Sequence, residues 1–568
     1  MTIRRYVSLI AIFIGVFAFT GVAYAASYIK APPLEKVIPS GSPAKVNTSG
    51  YIKVPVITWG GDLATILANG NSLQTSSGSI FANKGLKLKL VREDVFKKQI
   101  DNYMKGASPY LRGTMGMINM AAPLLSKNPA TKPVVVYQMT WSNGGDCLVV
   151  KKNIKNARDL KGKTVALQAY GPHVDYFTTI IKDAGLSMGD VRIKWINDLT
   201  GTDNSPAEAF YDDEIDAAFV IIPDGLLLTS NGTIGTGAEG SVKGAKILLS
   251  TKTANRVISD VYAVRSDYLK SNRKDVEAFV HGLMLGGQAV KGLFKNKNTR
   301  TAEYSKVLKA GAQILFDSEQ ATGDAEALYG DVEFVGFKGN VKFFGDTNWP
   351  RNMKNLNIEI GSAFSSIGLI SAPVSIDHAR WDYNNLKSGL TGTANVDVPR
   401  FKKDAVARVV AKKRAMGTLA DGELFKFEIN FKPNQQAFSQ ELYSDEFKKI
   451  VLLAATYGGA IITIEGHSDP HKYNKQKKNG AGAAALNRLK QAAKNLSVSR
   501  ALAVRNSIKS YADVKAVPLD DSQLTVVGHG ITSPKYPRPK TKEQWLQNMR
   551  VIFRIIQVEA EDSVFEPI

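Results

Sequence analysis

Short strand patterns and amphipathic helix patterns alternate along this chain from about residue 51, and this alternation restricts the fold more than any other feature. Leu86, Leu88 and Leu90 alternate with lysines, which is the two-residue period of a half-buried strand. The helix pattern that follows has a capping candidate at Asp94 and stops at Gly106. Repeated strand–helix–strand units of this kind predict open α/β sheets with mostly parallel strands.

The length and charge of the chain limit the number of globular units and the kinds of partner that we expect. With 568 residues it is too long for one core, and we expect about three or four globular units. The formal net charge of +21 predicts an anionic partner, namely nucleic acid, acidic lipid head groups or the carboxylates of a cell wall. Cys147 is the only cysteine, so we expect no internal disulfide.

The first 25 residues have the three parts of a secretory signal. Arg4 and Arg5 precede an uncharged apolar run from Val7 to Val22, and small residues follow it. This pattern predicts a signal peptide over residues 1–25, with an uncleaved inner-membrane anchor as the alternative. In both cases the rest of the chain is exported to the periplasm or cell envelope, so nucleic acid is not an expected partner.

Two further segments are predicted to be linkers. Residues 26–50 contain four prolines among glycine and serine, which is typical of a spacer. Residues 392–422 are rich in lysine and arginine, and we interpret them as a solvated basic linker, with a lipid-binding helix as the alternative. In the compact region that follows, Val551, Phe553 and Ile555 alternate with arginines and predict a closing strand.

Three loops of the region 51–391 are candidates for a ligand cleft. Each follows a predicted strand, and open α/β sheets bind ligands where strands lead into helices. Glycines allow close backbone approach, and the helix after the third loop would present free N–H groups to an anion. The candidate ligand contacts are Trp59, Gly60, Asp62, Trp141, Ser142, Asn143, Gln168, Tyr170, Gly171 and His173. For each of them a turn or a core position is the structural alternative, and Asp260 is a weaker candidate.

Segments of this region resemble a family of periplasmic solute-binding proteins. The resemblance is to the nitrate, sulfonate and taurine class of ABC transporters (SsuA-like), and it rests on Trp141-Ser-Asn-Gly-Gly-Asp146, Asp159-Leu-Lys-Gly-Lys-Thr-Val165 and Ile215-Asp-Ala-Ala-Phe-Val-Ile-Ile-Pro223. It implies a two-lobed periplasmic-binding-protein (type II) fold over residues 51–391, with the second lobe at about 145–255. It also implies a small anionic or zwitterionic solute and an ABC permease as partners.

Catalytic motifs do not stand out in the sequence. There is no P-loop and no H-E-x-x-H sequence, and His173 near Asp175 is the one suggestive pair. A related fold occurs in a thiamine-precursor synthase family, but the loop position of His173 favours ligand contact. We therefore predict a protein that is not an enzyme and has no cofactor.

Motifs in the last region resemble OmpA-like domains, in order, over residues 423–559. They are Ile461-Ile-Thr-Ile-Glu-Gly-His-Ser-Asp469, Leu496-Ser-Val-Ser-Arg500, Val527-Gly-His-Gly530 and Asn548-Met-Arg-Val551. The resemblance implies an α+β domain that binds the diaminopimelate of peptidoglycan through Asp469 and Arg500, with Asn434 as a helper. A carboxylate for the ammonium group and a guanidinium for the carboxylate suit this zwitterion. Ser497 is the expected cap of the helix that carries Arg500.

One departure from that family concerns the spacing of the two motif residues. Asp469 and Arg500 are 31 residues apart, longer than the family's usual spacing, and the extra residues form either a loop or added helical turns rich in lysine. His467 and His471 flank Asp469, but no fourth ligand is apparent and we predict no metal. The resulting prediction is a solute receptor held on peptidoglycan. The alternative is a structural or sensory peptidoglycan-associated protein with a solute-binding-like docking module.

Overall fold

A computed structural model describes residues 26–39, 41–238, 240–391, 401–417, 419, 423–430 and 443–557. The predicted signal segment 1–25 and the predicted peptidoglycan contact Asn434 lie outside these residues. Within the described ranges no helix has both the length and the apolar character needed to cross a membrane. The fold is mixed α/β, as predicted.

The first lobe begins with helices that alternate with strands. Strands β1 and β2 form a parallel pair, and β1 also lies against β3. The elements up to the first crossing between lobes are α1 (Leu34–Val37), β1 (Ile52–Val56), α2 (Asp62–Ala68), β2 (Leu88–Arg92), α3 (Phe96–Met104), β3 (Tyr110–Thr114), α4 (Met115–Leu125) and β4 (Pro133–Ser142). Asp94 does not cap α3 but accepts hydrogen bonds from the backbone N–H and hydroxyl of Thr58.

The second lobe is one five-stranded sheet with the strand order β7-β6-β8-β5-β9. Its apolar strands β5, β6 and β8 are buried because helices cover both faces. Its elements are β5 (Asp146–Val150), β6 (Thr164–Gln168), α5 (His173–Asp183), β7 (Arg192–Ile196), α6 (Pro206–Ala209), β8 (Ala217–Ile221), α7 (Ile222–Leu228) and β9 (Lys246–Ser250).

The chain then returns to the first lobe and completes its sheet, in the order β11-β4-β10-β3 with β12 beside β4. The returning elements are β10 (Ser259–Arg265), α8 (Ser266–Ser271), α9 (Arg273–Lys295), α10 (Thr301–Phe316), α11 (Thr322–Gly330), β11 (Val332–Phe334), α12 (Gly336–Gly345), α13 (Met353–Ser366), β12 (Asp377–His378) and α14 (Tyr383–Leu386). Two separate sheets joined by two crossings make this region two-lobed.

The prediction of mostly parallel strands is wrong for the first lobe. Strand β10 is antiparallel to both β3 and β4, and β11 is antiparallel to β4. The reason is the connection between lobes, because β4 leads the chain out of the first lobe and β10 leads it back. Neighbouring strands that carry the outward and return paths must run in opposite directions.

The segment expected as an N-terminal linker is packed along both lobes. Ile29 donates its N–H to the carbonyl of residue 195 in β7. Pro32 accepts a hydrogen bond of 2.6 Å from the hydroxyl of Tyr170. Leu34 is fully buried against α4, and Ala44 donates to the end of α3. Residues 26–39 and 41–47 therefore run from the second lobe to the first as an ordered strap rather than a spacer.

The C-terminal unit is a four-stranded sheet with the order β13-β16-β14-β15. Its elements are α15 (Lys403–Ala415), β13 (Glu423–Asn430), α16 (Ser444–Thr456), β14 (Ala460–His467), α17 (His471–Lys478), α18 (Ala483–Val514), β15 (Leu524–Gly530), α19 (Lys542–Asn548) and β16 (Arg550–Gln557). Helix α18 packs across β14 and β15, and its residues Ala501, Val504 and Ile508 share a core with Ile462 and Ile464.

Part of the predicted solvated linker 392–422 is a packed helix. The apolar side of α15 lies on the other face of the sheet, where Val406 and Val410 share a cluster with Ile461 and Ile556. The predicted closing strand is β16, and with helices on both faces of the sheet it is buried along nearly its whole length. Its arginine side chains are paired in the interior instead of facing water.

The C-terminal unit contacts the crossing through which the chain returns from the second lobe. Gly459 donates its N–H to the carbonyl of Thr253 at 3.1 Å, and Arg256 donates to the carbonyl of residue 456 at 3.2 Å. The hydroxyl of Tyr457 donates to Asp183 at 2.9 Å, with both side chains buried. The tight turn before β14 thus lies directly on residues that join the two lobes.

Replacing Tyr457 with phenylalanine is expected to lower the free energy of unfolding by about 1–3 kcal/mol, because the buried Asp183 carboxylate loses a donor. Burial already raises the pKa of Asp183. Chemical denaturation and hydrogen exchange of residues 253–256 would measure the loss. Tyr51→Phe is the matched control, because this tyrosine is 43% exposed and its variant should be neutral. Equal stability of Tyr457→Phe and wild type would contradict the prediction.

Candidate functional site

The three predicted cleft loops lie at the junction of the two lobes. Residues 59–62 precede α2, residues 141–145 form the first crossing, and residues 168–173 join β6 to α5. The ring of Trp59 lies so close to Gly145 that a Cβ on this glycine would be 2.5 Å from a ring carbon. The indole N–H of Trp59 donates to Thr140 at 3.1 Å. The first and second loops are therefore in direct contact.

Asp62 belongs to a buried ion network rather than to an open surface. Arg112 donates to Asp62 at 3.1 Å and to Asp260 at 3.0 Å, and all three residues are buried. Thr140 donates to the second oxygen of Asp260 at 3.0 Å. Burial raises the pKa of Asp62 to about 6, although Arg112 opposes this shift. The network joins β3, α2 and β10, so the weaker candidate Asp260 is a structural partner of Arg112.

At the crossing, Asp146 joins two of the predicted residues. Its carboxylate accepts from the hydroxyl of Ser142 at 2.6 Å and lies 2.7 Å from Nε2 of His173. The partner of His173 is thus Asp146 and not Asp175, which is buried against Gly116 at the start of α4. Since the serine contacts the aspartate and not the histidine, the arrangement does not activate a serine nucleophile.

The remaining residues of the second lobe that were predicted to contact a ligand instead contact other parts of the chain. Tyr170 has a left-handed backbone (φ 61°) and donates to the N-terminal strap. A Cβ on the neighbouring Gly171 would lie 1.9 Å from Oε1 of Gln168, so a larger residue there would displace the Gln168 side chain. The amide of Gln168 donates to the carbonyl of residue 197 at 3.3 Å. This loop is therefore held in one conformation by the strap and by its own side chain.

Trp141, Asn143 and Gly60 also have structural partners. The ring of Trp141 is buried edge-on to Phe343 and Trp349 in the core. A Cβ on Gly60 would lie 1.9 Å from the carbonyl oxygen of residue 328. The backbone N–H of Asn143 donates to the carbonyl of residue 331 at 2.8 Å.

Sequence reasoning missed three polar residues at this junction, Arg112, Asp146 and Asp331. Asp146 ends the motif that begins at Trp141, so its position was a usable signal. Asp331 approaches from about 185 residues further along the chain, and nothing in its surroundings in the sequence marks it. Burial and the nearby Asp146 raise the pKa of Asp331 to about 7.

In the C-terminal unit, Asp469 and Arg500 flank the start of β16. Asp469 accepts from the side-chain amide of Asn548 at 2.8 Å and from the backbone N–H of His471 at 2.8 Å. Arg500 is 2% exposed, and its Nη2 lies 4.0 Å from the sulfur of Met549. Burial lowers the pKa of Arg500. The two motif residues thus contact residues that are neighbours in the chain, Asn548 and Met549.

The expected cap at Ser497 is wrong. Helix α18 begins at Ala483, so Ser497 and Arg500 lie well inside it and no free helical N–H groups surround the guanidinium. Ser497 instead donates to the carbonyl of residue 494 and accepts from the N–H of Gly530 at 2.9 Å. The extra residues before Arg500 are helical, which settles the choice between a loop and added turns.

Glu465, His467 and His529 offer ligand atoms within 4.8 Å of one another. The two imidazole rings are stacked with an interplanar angle of 5°, so one ion cannot lie in the plane of both rings. Arg554 donates to Glu465 at 2.8 Å and supplies the positive charge there. This geometry does not fit a metal ion.

His467 is expected to make the C-terminal unit sensitive to acid. Burial, with a smaller contribution from Arg550, lowers the pKa of His467 from 6.5 to about 3. The neutral ring stabilises the fold fully above the unfolded value, and this contribution is lost as the pH falls from 6.5 toward 3, by about 1.4 kcal/mol per pH unit. His467→Gln should unfold in denaturant with a weaker pH dependence than wild type. The exposed His471→Gln is the control, and equal pH dependence of all three proteins would contradict the assignment.

Comparison with known proteins finds one family model and several distant structures. Residues 80–291 match the family model described as NMT1/THI5 like. A putative sulfonate ABC transporter periplasmic sulfonate-binding protein, SsuA from Methylobacillus flagellatus KT, is 16% identical, with a TM-score of 0.42 and coverage of 62% of this chain and 99% of that one. The periplasmic aliphatic sulphonate binding protein SsuA from Escherichia coli is 15% identical, with a TM-score of 0.38 and coverage of 62% and 97%.

An enzyme is also among the similar structures. The desulfurization enzyme DSZB is 14% identical, with a TM-score of 0.33 and coverage of 59% of this chain and 98% of that one. Among curated proteins no sequence matches the chain.

Proposed function

We propose that the chain is a solute-binding protein of an ABC-type uptake system, held on peptidoglycan by its C-terminal unit. The two-lobed region would capture a small anionic or zwitterionic solute by hinge closure in the periplasm. The observation that carries the solute-binding half is the meeting of the three loops at the junction of the lobes. Residues 141–145 and 168–173 lie within the segment that matches the NMT1/THI5-like family model, and residues 59–62 precede that segment.

The polar groups at the first crossing are the proposed solute contacts. Asp146 and His173 lie at the start of β5 and α5, so a movement of the lobes would change what surrounds them. Their hydrogen bond fixes the ring of His173 and leaves Nδ1 without a hydrogen-bond partner. A nitrogen in this state can accept from an N–H or O–H group of a bound solute.

The peptidoglycan half rests on the contacts of Asp469 with Asn548 and of Arg500 with Met549, two residues that are neighbours in the chain. Diaminopimelate carries an ammonium and a carboxylate on the same carbon, which match these two side chains. Asn548 orients Asp469 through the hydrogen bond of 2.8 Å, so it is a positioning residue in this proposal.

A second function is favoured by the strap across the lobes. Tyr170, a proposed solute contact, donates a hydrogen bond to the carbonyl of Pro32, and Leu34 is buried nearby against α4. A junction occupied by the chain's own segment suits a docking module in a structural or sensory protein of the envelope. The two functions differ in a simple measurement, because only the receptor is stabilised by a small solute.

The wall-binding half is tested by sedimentation of the full chain with insoluble diaminopimelate-type peptidoglycan. Asp469→Ala and Arg500→Lys should each reduce the bound fraction at least tenfold, because each removes one half of the zwitterion contact. Asp513→Ala and Arg408→Ala change exposed residues of the same unit and should bind like wild type. General charge attraction would instead lower the binding of Arg408→Ala, leave that of Arg500→Lys unchanged and raise that of both aspartate variants, and this outcome would contradict the proposal.

The solute-binding half is tested by thermal unfolding with taurine, nitrate and an aliphatic sulfonate at millimolar concentration. A ligand at about one hundred times its Kd should stabilise the two-lobed region by about 2.7 kcal/mol. The shift should be lost in His173→Gln and retained in His281→Gln, whose histidine lies on α9. No shift with any of these solutes would favour the docking module.

A further inference from the structure

The insertion between Asp469 and Arg500 forms an exposed helical hairpin. Helix α17 and the first half of α18, residues 471–496, contain no fully buried residue. We call these residues the basic hairpin, because their charged side chains are all cationic and all exposed: Lys472, Lys475, Lys477, Lys478, Arg488, Lys490 and Lys494.

No acidic residue balances this charge nearby in the sequence. Asp and Glu are absent from residues 470–512, which is a run of 43 residues in a chain that has 52 acidic residues. Within the described residues, no ion pair is formed by the seven cations. Lys490 lies 5.4 Å from the centre of the Tyr473 ring, which holds the two legs of the hairpin together.

A neighbouring loop extends the positive surface. The amide of Asn474 in α17 donates to the carbonyl of Pro537 at 2.8 Å, and this contact fixes the loop beside the hairpin. Arg538, Lys540 and Lys542 of that loop are exposed as well. Cations from three separate segments therefore share one side of the C-terminal unit.

The tip of the hairpin carries no charge. Residues 479–485 read Asn-Gly-Ala-Gly-Ala-Ala-Ala, and the lysines of α17 and Arg488 of α18 stand just behind them on the two legs. Small uncharged residues at a tip, with cations set back on both sides, allow the tip to touch a surface while the cations reach anions in its plane. A soluble polymer chain does not require such a tip.

The base of the hairpin is rigid. In its second half α18 crosses β14 and β15 at glycines, where a Cβ on Gly466 or Gly528 would lie 2.0 Å and 2.3 Å from atoms of α18. The hydroxyl of Ser468 also donates to the carbonyl of residue 493 at 3.0 Å. The cations are thus presented on a fixed support, which reduces the entropy lost on binding.

We propose that the basic hairpin binds the surface of an anionic phospholipid membrane. Each lysine or arginine near such a surface contributes favourable electrostatic energy that falls off within a Debye length, so a cluster of seven is sufficient for stable attachment. The proposal does not depend on peptidoglycan binding, because Asp469 and Arg500 are not among these cations.

The test is co-sedimentation of the full chain with vesicles of phosphatidylcholine alone and with about one third phosphatidylglycerol, at physiological salt. Binding to the anionic vesicles should exceed binding to the neutral ones at least tenfold. In the combined variant Lys475→Gln, Lys477→Gln, Lys478→Gln and Arg488→Gln, binding to the anionic vesicles should be at least tenfold weaker than in wild type. Because residues 1–25 are the same in the wild type and in the variant, attachment through them cannot account for a difference in binding between these two proteins.

The matched control changes four exposed lysines elsewhere, Lys127, Lys274, Lys309 and Lys354, to glutamine and alters the net charge by the same amount. It should bind like wild type, and so should Asp469→Ala. An equal loss in the control, equal binding to neutral vesicles, or no binding of wild type would overturn the proposal. Salt-sensitive retention of wild type on isolated peptidoglycan, lost in the hairpin variant without any vesicle binding, would assign the hairpin to a wall polymer and would also overturn it.

Discussion

Replacing Arg112 with methionine is expected to destabilise the two-lobed region by about 3–5 kcal/mol, because two buried carboxylates then lose their only shared counter-ion. Asp62 and Asp260 accept from Arg112 at 3.1 and 3.0 Å in a site without solvent access. Urea denaturation followed by tryptophan fluorescence would measure this loss. The deficit should shrink as the pH is lowered from about 8 to about 6, since protonation of Asp62, whose pKa burial raises, removes uncompensated charge.

Lys105→Met is the matched control for this prediction. Lys105 forms an ion pair with Asp101 at 2.7 Å in the same lobe, but both side chains are more than half exposed. Exposed pairs contribute less than about 1 kcal/mol, so the control should be close to wild type. A cost for Arg112→Met no larger than that of the control would mean that the buried network does not stabilise the fold.

The second large effect is expected from Gly466→Val in strand β14. A Cβ at this position would lie 2.0 Å from the backbone oxygen and 2.8 Å from the carbonyl carbon of Ser497. Backbone atoms within a 32-residue helix cannot move aside independently, so α18 must shift away from the sheet. We expect a loss of more than about 3 kcal/mol in the C-terminal unit, visible as faster proteolysis and exchange of β14.

Gly482→Ala serves as the control within the same unit. No atom lies within 4 Å of a Cβ at Gly482, and its φ of −64° suits any residue. Because Gly482 is the N-cap of α18 and alanine caps less well than glycine, we expect a loss of at most about 1 kcal/mol. If Gly466→Val were as stable as this control, the close contact between α18 and β14 would not exist in solution.

Local patterns in the sequence predicted many elements correctly because these elements are stabilised by contacts near in the chain or by a simple buried face. The alternation at Leu86, Leu88 and Leu90 predicted a strand where β2 is found, and the apolar stripe that followed predicted α3. Periodicity reports which side of an element avoids water, so it succeeds wherever one face is covered.

The same patterns failed where a second face was covered by a distant segment. The alternation in β16 did not show that α15 covers a second face of its sheet, or that Arg554 is paired in the interior with Glu465 and Glu423. The N-terminal segment reads as a spacer because prolines prevent regular structure, yet Leu34 is buried against α4 and Tyr28 packs, partly buried, against the second lobe. In both cases the burial depends on a partner that is far away along the chain.

For the candidate sites, three features could be recognised without the structure: the loops that follow strands, the order of the C-terminal motifs and the absence of acidic residues from the insertion. The three-dimensional fold was needed to show that His173 pairs with Asp146 and that Asp62 pairs with Arg112. It was also needed to show that Arg500 lies inside a continuous helix. The physical reason is that local patterns reflect solvent exposure and backbone preference, whereas the partner of a buried polar group is whichever complementary group the whole fold brings within hydrogen-bond distance.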